Sequence, residues 1–182
     1  MNLGRIVIGA AAGVAGTFAM SHAQRLWTRA SDSHAPDSAA GKHDARDWQE
    51  RSEGRNANEI VARSVGESVL GRSMTRDELG TGAVISHYTF GAAVGALYGA
   101  VADPIRPVLS GARLGVRLWV LADEVAIPLL GLSRPPTSRP PEMHAQALAA
   151  HLVYGLVTSV VFRFGATYLM RRGARRIRYV AA

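Results

Sequence analysis

The sequence predicts an all-α fold: a four-helix transmembrane bundle with a polar extramembrane loop that carries a short amphipathic helix. Three observations predict it. Four apolar stretches, at residues 3–20, 81–101, 114–132 and 145–170, each come close to the ~20 residues a helix needs to cross a hydrocarbon layer about 30 Å thick. Charge is segregated, with ten of the fourteen acids and eight of the twenty-one bases in residues 28–80. Glycines recur four apart within the apolar stretches, a spacing that places them on one helix face. Because a bilayer offers the backbone no water, segments of this kind span it as helices. The mean hydropathy of +0.05 averages over this division.

The first stretch, LGRIVIGAAAGVAGTFAM, belongs to an N-terminal unit of residues 1–27. Ser21-His22-Ala23 offers small residues where a signal peptidase cuts. However, Arg5 alone is a thin basic region and Gly9 and Gly13 make a packing face, so the stretch reads as a retained helix.

Residues 28–80 form the polar loop. SDSHAPDSAAGKHDARD is rich in turn formers. NANEIVARSVGESVLG predicts an amphipathic helix over 57–70, with Ile60, Val61, Val65 and Val69 near one stripe, Asn56 and Glu59 as a capping box and Gly71 at its end. It reads as a surface helix resting on the bundle or on lipid headgroups. Thr75 with Glu78 caps the next helix, which runs into the second apolar stretch.

That second stretch, TGAVISHYTFGAAVGALYGAV, doubles the glycine spacing at Gly91, Gly95 and Gly99, and Gly111 with Gly115 repeats it. In water each such glycine costs a helix about 1 kcal/mol relative to Ala. In lipid the same residues let two backbones approach closely.

The third stretch holds LWVLADEVAIPLL, where Asp123 and Glu124 interrupt an apolar run. Neighbouring helix positions point about 100° apart, so one of the two aims at the bundle axis. Glu124 is favoured, because Arg117 precedes it by seven positions and Pro128, four positions on, takes away the donor its carbonyl would meet and kinks the helix. Arg117 and Arg163 lie near helix ends and have stems long enough to snorkel. Short acids have no such escape. Counted from the outer ends of their helices, His87, Asp123, Glu124 and His151 fall in one layer, roughly 9–12 Å below the outer boundary. His87-Tyr88-Thr89-Phe90-Gly91 is echoed by His151-Leu152-Val153-Tyr154-Gly155, as if two helical hairpins repeated one design.

Desolvated carboxylates and imidazoles exchange protons near neutrality, so this polar layer suits a proton relay or a site for a small polar or ionic solute. The same donor types make His87, His151 and Glu124 weak metal candidates, without the HxxxH spacing that marks such sites. No catalytic residue is assigned: GxSxG, Walker and HExxH patterns are absent, and GAAAGVAGT lacks the strand and acid of a dinucleotide fold. No cofactor is expected, and the absence of cysteine excludes disulfides and thiolate metal sites. The alternative function is a non-catalytic membrane scaffold or assembly subunit that binds other helices through its glycine-rich faces.

The net charge of +7 does not point to nucleic acid, because residues 28–80 come to eight bases against ten acids and RRGARRIR directly follows the last apolar stretch. Arg5, Arg106, Arg113 and that C-terminal cluster share one side if four helices cross, which makes both termini cytoplasmic. The partners implied are the lipid bilayer and a second copy or other membrane proteins.

His87 with Phe90, Gly95, Tyr98 and Ala102-Asp103, then Pro128-Leu129-Leu130-Gly131-Leu132 with Pro135-Pro136, then His151-Leu152-Val153-Tyr154, together resemble the YagU-like family of small multi-pass bacterial inner-membrane proteins. The likeness covers about half of the chain, over the second to fourth helices. It implies four helices in the bacterial inner membrane and no defined chemistry. The chain departs from the family pattern in having a long polar loop where a proline-rich PPR stretch follows the first helix. The pair Asp123-Glu124 is not part of that pattern, and of the polar layer only His87 and His151 carry over.

Overall fold

The computed structural model describes residues 3–34, 57–102, 106–131 and 135–180, and among these the chain is helical with no strand. Five helices follow one another: α1 (Leu3–His34), α2 (Ala57–Leu70), α3 (Arg76–Val101), α4 (Pro107–Leu118) and α5 (Pro141–Val180). Beyond α4 the chain keeps winding as a π-helix, Trp119–Ala126, and ends in a last α-turn, Ile127–Leu129. Asn56 lies outside the described residues, as do the side chains of the basic cluster from Arg171 to Arg178.

Local chemistry sets the helix ends. α2 stops at Gly71, whose φ of 66° is the left-handed conformation that only glycine adopts cheaply, with its N–H donating to the Glu67 carbonyl at 2.9 Å. Thr75 and Glu78 form a reciprocal capping box at the start of α3. Pro107 opens α4 at a position where its missing N–H costs nothing. The guanidinium of Arg5 donates to the carbonyls of Gly99, at 3.2 Å, and Ala102, placing a cation on the negative end of α3.

Glycines set the helix packing. Gly9 and Gly13 of α1 lie against Gly99, Gly95 and Gly91 of α3, taken in reverse order, so the two helices run antiparallel. Gly16 of α1 meets Tyr154 and Thr158 of α5, while Ile8 meets Gly165, again antiparallel. Gly111 and Gly115 of α4 meet Ser159, Gly155 and His151 of α5 in the same sense. α3 and α5 therefore run parallel, joined by Tyr154 to Gly91 and by an edge-on contact of the Tyr98 and Phe162 rings at 5.5 Å.

The bundle buries small and polar residues around a few large ones, Met20, Tyr98, Tyr154 and Phe162, and leaves many large apolar side chains outside. Ala12, Thr17, Ala150, Thr158, Ser159 and Ala166 are buried, whereas Val7, Phe18, Ile85, Leu97, Leu121 and Phe164 are more than half exposed. Exposed apolar surface on this scale marks a face that meets lipid or another protein. Three helices are long and apolar enough to cross a membrane: Leu3–Ser31, Arg76–Val101 and Pro141–Leu169. The segment expected at 114–132 is not one of them. It begins seven residues earlier, carries Arg113 and Arg117, and changes its winding at Trp119.

α2 occupies the span expected of it, but its packed line is not the valine stripe. Ala62 is buried against Gly82 and Gly66 lies against Met74, while Val61, Val65 and Val69 are 41%, 60% and 79% exposed. The stripe lies one position, about 100°, round the helix from the line that touches α3.

Candidate functional site

The two adjacent acids sit in the π-helix. Its i→i+5 bonding puts more residues in each turn than an α-helix does, so neighbouring side chains diverge by less than 100°. Ile127 N–H donates to the Ala122 carbonyl, five positions back. In that register the carbonyl lacking a donor at Pro128 is Asp123's rather than Glu124's, which corrects the expectation from α-helical counting. π-turns of this kind concentrate at functional sites.

Both acids face α5, where they meet different histidines. Glu124 Oε1 and His144 Nδ1 share a hydrogen bond at 2.8 Å, with both side chains largely shielded. Asp123 Oδ2 stands 3.7 Å from His151 Nδ1, close enough for an ion pair but beyond a hydrogen bond. His151 is buried, and its Nδ1–H is taken by the Ala147 carbonyl at 2.8 Å, which points the opposite ring nitrogen away from its own helix. His87, on α3, is close enough to both His151 and Asp123 for their charges to interact.

The structure thus pairs Asp123 with His151 and Glu124 with His144, and leaves His87 on the neighbouring helix with no direct contact to either acid among the described residues. Glu124 does not look along the bundle axis with Arg117. It looks toward His144 at the start of α5, and Arg117 lines a cleft against α3. Among the described residues no group of three or more His, Asp or Glu is placed to hold a metal ion, so the weak candidates His87, His151 and Glu124 do not form a ligand set.

His144 lies just before the apolar stretch at 145–170, outside the span that sequence predicts for the last helix. Pro141 begins it instead. A signal was present: His144 and His151 are seven apart, two turns along one helix face. The Nε2 of His144 faces the Pro136 carbonyl at 3.1 Å while Nδ1 faces Glu124, so both ring nitrogens meet oxygen acceptors. A neutral imidazole has one N–H to give.

The His echo has a spatial counterpart. His87 and His151 are 64 positions apart, and so are Tyr98 and Phe162, whose rings touch across the parallel helices α3 and α5. The shared offset puts the two imidazoles at one level.

The glycine faces are filled within the chain. A methyl group on Gly9, Gly13, Gly91, Gly95 or Gly99 would collide with atoms of the facing helix, so these faces leave no room for a partner's helix. Sequence reasoning did not foresee two polar contacts between helices: Tyr154 O–H donating to the Gly91 carbonyl at 2.7 Å, and Tyr98 with Ser110 at 2.7 Å.

No protein-family model, curated protein or solved structure matches the chain.

Proposed function

We propose that this chain is a multi-pass protein of the bacterial inner membrane, related to the YagU-like proteins, with a fourth crossing made by α4 and the π-helix and with both termini cytoplasmic. In this reading Asp123, His151 and His87 handle protons or a small polar or ionic solute within the membrane, and Glu124 with His144 forms a second step nearer the outer surface. One observation carries it: two adjacent carboxylates in a π-helix each face a histidine of α5, in a layer bounded by apolar helices. His151 lies ten positions into α5, about 15 Å along the axis from Pro141, a depth at which an unpaired charge is expensive and a paired one has a use. The outward-facing large side chains and the basic residues Arg5 and Arg106 at one end support the embedding and its orientation.

The test is proton flux into liposomes holding the purified full chain and a trapped pH-sensitive dye, with and without an opposing sodium or potassium gradient. Wild type should acidify or alkalinise the lumen, and Asp123→Asn should cut the rate at least about tenfold, as removal of a relay group does. Wild-type vesicles no leakier than empty ones under every gradient would end the reading, as would full flux in Asp123→Asn.

A further inference from the structure

Between α3 and α4 the bundle is open. These helices are consecutive in sequence, yet they are joined across the gap by the hydrogen bond of Tyr98 with Ser110, and a cleft of about 740 Å³ separates them. Its α3 wall is apolar, with Val94, Leu97 and Val101; its α4 wall carries Arg106, Arg113 and Arg117. The arginines are spaced seven and four apart, so they form one line up the helix. Among the described residues none of the three has a carboxylate or carbonyl partner.

That combination defines an occupant. Arg117 lies ten positions from Pro107, about 15 Å along the axis, and Arg113 about 9 Å, so a membrane around the bundle places two guanidinium groups well below the headgroup level at which their helix starts. Cations at that depth need a counter-anion. Guanidinium groups bind phosphate oxygens through paired N–H donors, and apolar side chains opposite them suit an acyl chain.

We propose that the α3–α4 cleft is a binding site for an anionic phospholipid, its phosphate held by Arg113 and Arg117, one helical turn apart, and an acyl chain laid along Val94, Leu97 and Val101. The proposal rests on the membrane embedding described above and is independent of the imidazole–carboxylate layer. The lipid closes the gap in the helix packing and neutralises the arginine line. Its charge makes the site selective for phosphatidylglycerol-type lipids over zwitterionic ones.

The experiment is native mass spectrometry of the full chain purified in mild detergent and titrated with phosphatidylglycerol, phosphatidylcholine or inorganic phosphate. Wild type should retain phosphatidylglycerol as a stoichiometric adduct and phosphatidylcholine weakly. Arg113→Ala with Arg117→Ala should weaken phosphatidylglycerol binding at least about tenfold, the loss of a charge-assisted hydrogen bond. Leu97→Trp, which fills the cleft from the opposite wall without changing charge, should also lower retention, and melting curves will show both variants folded. Arg163→Ala, on exposed α5 surface, should bind like wild type. Equal binding of both lipids, unchanged binding in the double variant, displacement by millimolar inorganic phosphate alone, or a dimer in place of the adduct would each overturn the proposal. A chain that stays in solution without detergent would instead remove the embedding itself.

Discussion

Gly9 and Gly95 face each other so closely that a methyl group on either would collide with the carbonyl oxygen of the other. This contact fixes the approach of α1 to α3, and it separates two effects of glycine that usually travel together. Gly95→Ala should gain about 1 kcal/mol of helix propensity yet lose more to overlap with immobile backbone, which typically costs about 1–3 kcal/mol. Gly80→Ala lies in the same helix with nothing within 4 Å of the added methyl, so it should gain the propensity term alone. Thermal melts of the two variants in detergent should therefore shift in opposite directions.

Tyr154→Phe tests the polar tie between α5 and α3. The phenol is buried and donates at 2.7 Å to the Gly91 carbonyl, which as part of a helix interior already has a backbone donor. The Gly91 carbonyl keeps that donor, so the cost of losing this bond should stay within about 0.5–1.5 kcal/mol. A drop in melting temperature much larger than Gly95→Ala produces would mean that the hydroxyl serves another partner.

Glu124 and His144 should behave as one unit. Removing either leaves a shielded polar group facing its lost partner, at about 1–3 kcal/mol. The double change to Ala removes both, so it should cost clearly less than the two single costs added together. A double-mutant cycle on denaturant unfolding reads the coupling directly, and additivity would show that the 2.8 Å contact holds nothing.

The helices, the extent of α2 and the capping box at Thr75 could be read from the sequence, because apolar period, glycine placement and cap chemistry are local signals. What each acid touches could not. The π-winding at Trp119 changes the angle between successive residues, and the spacing rules assume α-helical geometry throughout, so Glu124 was aimed along the axis when it turns to His144. The start of the last helix lies four residues before its apolar stretch, because Pro141 is well suited to a first turn, and this extension carries His144 into the helix. The cleft between α3 and α4 was invisible for a different reason, since an opening between helices is a property of their packing and no single segment encodes it.

The start of α3 offers a test away from the packed bundle. Thr75 Oγ1 accepts from the Glu78 N–H at 3.3 Å, and Glu78 Oε2 accepts from the Thr75 N–H at 2.8 Å. Glu78 also takes two hydrogen bonds from the exposed Arg72 guanidinium, at 2.6 and 2.9 Å. Counting bonds would rank Arg72 first, but an exposed ion pair gains little over water, whereas a cap satisfies helix N–H groups that have no other partner. Thr75→Ala should therefore cost about 1 kcal/mol locally, speeding hydrogen exchange of the first-turn amides about fivefold. Arg72→Ala should leave that exchange nearly unchanged, because the two cap bonds do not need the guanidinium. Glu78→Gln should fall between them, since its side chain still accepts from the Thr75 N–H but without the charge that favours a helix N-terminus. If Arg72→Ala loosened the turn more than Thr75→Ala, the ion pair rather than the cap would be what starts the helix.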